Sequence, residues 1–162
     1  MHDAVAKVIA EMIKYNGTDV RRINHALKVY GYAAAMARLE GLDENTQLIL
    51  EVAAVLHDIG IKASEEKYGS SSGEYQQIEG PPVAECMLRK LGFEQSIIDR
   101  VCYLIAHHHT YHSVDGLDYQ VLIEADFVVN INEDGMDARQ IESIRTNIFK
   151  TKAGLEIMQS LY

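Results

Sequence analysis

Cysteine is scarce in this chain: Cys86 and Cys102 are the two it has, and they do not form a CxxC pair. That excludes a disulfide framework. Both lie in apolar helical patterns and read as core thiols of a reducing compartment. No apolar run approaches the ~20 residues that a membrane span needs. Asp3, Lys7 and Glu11 stand where a signal peptide would require an apolar stretch, so the expectation is a cytoplasmic protein with no membrane partner. Positive charge is also short, with 15 Lys and Arg against 24 Asp and Glu, net -9. A chain so balanced offers no electrostatic footprint for nucleic acid, and an anionic substrate would have to be met by a local metal or arginine. Strand-like alternation of apolar and polar residues is missing, as is any repeat at a fixed period. There is no Walker loop and no GxGxxG, which leaves a glycine cradle for nucleotides unsupported.

What is present is a series of helical patterns. At 162 residues and 48% hydrophobic content the chain is long enough for a real core, and we read residues 1–162 as one domain, with a core over 18–132 and carboxy-terminal helices over 137–162. Val5, Val8, Ile9, Met12 and Ile13 mark a first amphipathic helix ended by Asn16-Gly17. Thr18 or Asp19 can cap a second, carrying Ile23, Ala26, Leu27, Tyr30 and Ala33 up to Gly41. Asp43 caps a third whose apolar run ends in His57-Asp58, followed by Gly60. Residues 62–78 show no sustained period and read as a mobile loop that could lie over a site. Pro81-Pro82 suits the first turn of a fourth helix. A fifth runs from Glu94 into His107-His108-His109, Asp118 caps a sixth that contains Asp126, and Asp137 caps a seventh before a last short helix. The expected fold class is all-α, a single-domain bundle of roughly six to eight helices.

Four polar insertions interrupt apolar helix faces: His25, His57-Asp58, the histidine run and Asp126. Taken singly, each has a plain explanation as a hydrogen-bonded core residue, a cap or a polar helix end. Together, two imidazoles and two carboxylates make a ligand set suited to Mn, Fe, Co, Ni or Zn, and less comfortably to Mg. Burying such groups costs several kcal/mol unless they are paired or bind a metal. Neighbouring helical residues point about 100° apart, so His57 and Asp58 can share an ion only beside a helix terminus, where Gly60 places them.

The ordered set His25, His57-Asp58, Asp126 resembles the H…HD…D signature of the HD-domain metal-dependent phosphohydrolase superfamily. Leu56-His57-Asp58-Ile59-Gly60 and Ile78-Glu79-Gly80-Pro81-Pro82-Val83-Ala84 resemble segments of small bacterial and archaeal members, and the likeness spans residues 22–130. It implies an all-helical bundle with a metal in a central cleft, held by His25, His57, Asp58 and Asp126. In members with two metals, further histidines come from the start of the fourth helix and the end of the fifth. Here His107, His108 and His109 are candidates for the second position, while Gln76, Gln77 or Glu79 fills the first. One divalent ion is therefore expected, with Glu79 or a water completing a weaker second site.

The implied chemistry is phosphate-ester cleavage of a small phosphorylated metabolite, a nucleotide foremost, by a metal-activated water. Asp58 would bridge or hold the water, and His107 or His108 would pass a proton to the leaving group. Arg22, three residues before His25 on the same helix face, and Lys62, just past the His57-Asp58 turn, are candidate phosphate clamps. Two alternatives stand beside this reading: a di-iron oxygenase of the same superfamily, and a non-catalytic sensor that binds a metal or nucleotide. Exposed apolar residues on the last helices suggest a homodimer.

Overall fold

Every aspartate that precedes a helix and has its carboxylate free to turn inward becomes a cap. In the computed structural model, which describes residues 3–162, Asp19 accepts from the Arg22 amide, Asp43 from those of Asn45 and Thr46, and Asp137 closes a reciprocal capping box with Gln140. Among the described residues there are nine helices and no strand: α1 (Asp3–Asn16), α2 (Val20–Leu39), α3 (Glu44–Leu56), α4 (Ile61–Tyr68), α5 (Gly73–Lys90), α6 (Gln95–His107), α7 (Leu117–Glu133), α8 (Ala138–Asn147) and α9 (Lys152–Leu161). The class is all-α, and none of these helices is long and apolar enough to cross a membrane.

The core is built on α3, which buries nine residues, Gln47 and Glu51 among them. It packs against α2, α6 and α7, and against α1 as well. Because α3 is covered on most sides, its end falls inside the protein, which is why His57 at that end is buried and Asp58 half-buried. Beyond α7, a buried carboxylate ties on the carboxy-terminal segment. Glu124 accepts from the Lys150 amide at 2.6 Å, the Thr151 amide at 3.0 Å and the Thr151 hydroxyl.

The chain departs from the expected pattern in four places. Residues 62–78 are not a loop: α4 and the first half of α5 occupy them, and the connection is residues 69–72. Nothing apolar betrayed α4 because its one buried residue is Ser64, whose hydroxyl donates to Gly60 O at 2.7 Å. Pro81 and Pro82 sit inside α5 rather than in its first turn. Their missing N–H groups leave the Gln77 and Ile78 carbonyls without their usual partners four residues on, in a helix that packs against α4 and α6. Gly116, not Asp118, is the N-cap of α7; Asp118 is the second residue of the helix, in its first turn, taking two bonds from Arg100 at 2.7 and 2.8 Å. Finally, Cys86 is exposed and so not a core thiol, while Cys102 is half-buried against the core with its Sγ 3.5 Å from Pro81 O; both are free.

Candidate metal centre

The last turn of α3 does not continue as helix. His57 caps it, residues 57–60 form a tight turn, and α4 starts at Ile61. Gly60 permits this turn to press onto α5: a Cβ there would stand 2.5 Å from Gly80 N and 2.7 Å from Gln76 O. The turn is thereby clamped, and it aims two consecutive side chains at one point, with α2 supplying His25 and α7 supplying Asp126.

Donor atoms converge there. His25 Nε2 lies 3.2 Å from His57 Nε2, 3.4 Å from Asp58 Oδ2 and 3.3 Å from Asp126 Oδ1. His57 Nε2 lies 3.4 Å from Asp58 Oδ2 and 3.6 Å from Asp126 Oδ1. Donors around an ion at about 2.1 Å are separated by ~3.0–3.4 Å in six- or four-coordinate geometry, which these spacings approach.

The tautomers decide what the nitrogens can do. His57 Nδ1–H donates to Ala54 O at 2.8 Å, and His25 Nδ1–H to Glu133 Oε2 at 2.8 Å. In the neutral rings both Nε2 atoms are therefore lone pairs facing each other, an arrangement that repels unless a cation stands between them. The second ring nitrogens are held by a carbonyl and a carboxylate, as in metal-binding histidines generally. His57 does not pair with Asp58 as a dyad, since its proton goes to the backbone.

Electrostatics state the same demand. Burial disfavours the charged form of His57, yet Asp58 and Asp126 outweigh it and hold its pKa well above the ordinary value. His25 is raised by the same balance, burial being opposed first by Asp126. Burial would lift the Asp126 carboxyl, but His25 and His57 hold it well below the usual carboxylate range; Asp58 is held down against burial by His57 and His108. A divalent ion meets this requirement for positive charge without protons. The residues present thus fit a divalent metal site.

On the other side of Asp58, His108 donates its Nδ1–H to Ile105 O at 2.7 Å. Its Nε2 is buried with no hydrogen-bond partner and points at Asp58 Oδ1, 3.5 Å away. Asp58, His108 and His109 form a second group of potential ligands. His109 is locked in place: its Nε2–H donates to Gln76 Oε1 at 3.0 Å, and the Gln76 amide donates to Ser71 O at 2.7 Å. Burial and the neighbouring His108 push the His109 pKa down to about 4, so it is neutral at pH 7.

His107 is not brought to this cluster. Its ring stacks on Tyr103, 4.2 Å between centroids, and its Nδ1–H donates to Tyr103 O. Glu79 is likewise turned away, binding Lys67 at 2.7 Å and the Tyr68 hydroxyl at 2.8 Å, and so completes no second site. Of the three candidates for that position, Gln76 faces the site. His112 is exposed. Lys62 reaches back to Tyr15 O at 3.3 Å, whereas Arg22 lines the same cleft as His25 and Asp58.

That cleft has a volume of about 570 Å³ and is walled by Arg22, His25, Asp58, Glu65, Gln76 and Glu133, within the size of small-molecule sites. Glu133 and Asn130 escaped the sequence reading, although a signal exists. They stand seven and four residues after Asp126, on the same helix face, and Asn130 donates to Asp126 Oδ1 at 2.9 Å.

A cluster of two histidines and two aspartates, assembled from two long helices and a clamped turn, defines a class of protein. The family model described as HD domain matches residues 22–143, and the chain belongs to this family. Among solved structures it is similar to that of a predicted HD superfamily hydrolase from an uncultured Thermotogales bacterium. The identity is 22%, with 96% of this chain and 82% of that chain covered and a TM-score of 0.64, a likeness of fold. No curated protein matches it.

Proposed function

We propose that the chain is a metal-dependent phosphohydrolase that cleaves a phosphate ester of a small metabolite, a nucleotide foremost, in the cytoplasm. The observation that carries this reading is the convergence of two histidine Nε2 atoms and two depressed carboxylates on one point, with His25 and Asp58 lining an open cleft above it. His25, His57, Asp58 and Asp126 would hold one divalent transition ion, Mn, Fe, Co, Ni or Zn more readily than Mg. Such an ion supplies an acidified water and polarises a phosphoryl oxygen.

The chain's own side chains divide the remaining work. Asp58 turns Oδ2 to the histidines and Oδ1 to His108, so one carboxylate serves both sides of the site. His108, buried with Nε2 unpaired, is positioned to carry a proton to the leaving-group oxygen. Arg22 meets the phosphoryl oxygens from the cleft wall. Glu133 fixes the His25 ring, and the Ala54 carbonyl fixes that of His57. A second ion at Asp58, His108 and His109 is a weaker companion site. The di-iron oxygenase reading is disfavoured because Gln76 stands at the inner face where that centre would need another histidine, and its amide is committed to His109 and Ser71.

The test is to measure bound metal in the purified protein and to screen nucleoside monophosphates, cyclic dinucleotides and phosphorylated alarmones beside the His57→Ala variant. Phosphate release that requires a divalent metal and His57 is the expected result. A chain that releases none with any divalent metal overturns the proposal and leaves a sensor role.

A further inference from the structure

Arg22 faces the cleft, yet its charge is already engaged. One guanidinium nitrogen lies 2.7 Å from Glu65 Oε1 on α4, and the other 3.3 Å from Asp19 Oδ2 at the start of α2. Arg22 is 22% exposed in its side chain and Glu65 45%, so the bridge spans the cleft mouth in contact with water. The walls around it are mostly acidic: Asp19, Glu65, Glu133 and Asp134 face Arg21 and Arg22. The two carboxylates among the metal ligands are matched by the two charges of an ion. What is left over at the mouth is net negative.

We infer that Glu65 holds the place of the substrate's phosphoryl group on Arg22, and that the cleft thereby selects a phosphomonoester whose remainder carries no further negative charge. The inference rests on the phosphohydrolase reading of the same cleft. Glu65 Oε1 and Asp19 Oδ2 together set two carboxylate oxygens against the guanidinium, the face that a phosphoryl group presents. Exchange is cheap, because an exposed ion pair is weak, and the incoming dianion gains the ion as well as Arg22. A second or third phosphate would find Asp19, Glu133 and Asp134 on the cleft wall, against Arg21 as the remaining cation there. A sugar or nucleoside, neutral and rich in hydroxyls, finds acceptors in those same carboxylates.

The test uses the manganese-loaded protein and inorganic phosphate, titrated calorimetrically into wild type, Glu65→Gln, Arg22→Gln and the double variant. Removing the competitor should tighten phosphate binding about two- to fivefold, the range that a solvent-exposed ion pair permits. Arg22→Gln should weaken it, and in the double variant the gain from Glu65→Gln should vanish. Wild type should also bind a nucleoside monophosphate more tightly than the matching diphosphate, with the gap narrowed in Glu65→Gln. Phosphate that fails to bind, an affinity indifferent to Glu65, a gain that survives without Arg22, or a preference for the diphosphate overturns the inference. Ester hydrolysis is scored separately. Phosphate binding with this pattern but no hydrolysis sinks the phosphohydrolase reading alone, and hydrolysis with indifference to Glu65 sinks this inference alone.

Discussion

Glu133 makes no contact with the metal position itself, yet metal affinity should depend on it. Its Oε2 takes the Nδ1–H of His25 at 2.8 Å, and its Oε1 takes the Lys28 ammonium at 3.0 Å. The first bond fixes the tautomer that leaves His25 Nε2 free and orients the ring. Removing such a partner typically lowers metal affinity by about 10- to 100-fold, or about 1.4–2.7 kcal/mol. Glu133→Ala should fall in that range, while Glu133→Gln, whose amide oxygen still accepts but carries no charge, should lose about half as much free energy. The ion pair with Lys28 is exposed on the lysine side and adds little, so Lys28→Ala should leave the affinity within about twofold. Competitive titration of Co²⁺ or Mn²⁺ into the metal-stripped variants measures all three. If Glu133→Ala binds as tightly as wild type, or Lys28→Ala is as damaging as Glu133→Ala, then His25 is not held for metal binding in the way argued.

Three further outcomes follow from the geometry. His25 and His57 have folded-state pKa values raised above 6.5, so their protonated forms stabilise the metal-stripped protein fully below that value and less as pH rises through the folded pKa. Its melting temperature should therefore fall as pH climbs from about 6.5, whereas metal should restore it and bind more tightly over the same climb, since binding displaces those protons. Gly60→Ala sets a Cβ against backbone atoms of α5 at 2.5 and 2.7 Å; it should cost at least the ~1–3 kcal/mol of overpacking and lower the bound metal, read by thermal melts and metal analysis. His108→Ala should reduce turnover by ~10²–10⁴-fold, with His107→Ala close to wild type. The reverse order would reassign the proton donor.

The helical class and the convergence of His25, His57, Asp58 and Asp126 could be read from the chain: His25 and Asp126 interrupt apolar stripes, and His57-Asp58 ends a run that must be buried. Caps at Asp43 and Asp137 are equally plain, a short carboxylate before an apolar period; of Thr18 and Asp19 it is Asp19 that caps, while at Asp118 the same pattern misleads because Arg100 holds the carboxylate. The stretch after Gly60 hid its helices because α4 buries only a serine, and the first half of α5 meets its neighbours through Gln76 and Gly80 rather than through an apolar stripe. Choosing among three consecutive histidines needs the angle at which α6 ends, and this sends His107 to Tyr103 and His108 inward. Tertiary geometry of that kind leaves no periodic trace. The Arg22–Glu65 bridge joins residues 43 apart, beyond the reach of any local pattern.

The contact between the turn after Asp58 and α5 has an evolutionary corollary. Gly60 and Gly80 face each other, but a methyl on Gly80 would strike Ile105 Cγ2 at 2.6 Å, a side chain that a second change such as Ile105→Ala removes, while a methyl on Gly60 strikes main chain. Drift at position 80 thus has a compensating route and drift at position 60 has none within the fold. In a lineage losing this centre, the ligands themselves can be exchanged one at a time on an intact scaffold. The glycine behind them cannot, so it should be among the last residues of the site to change.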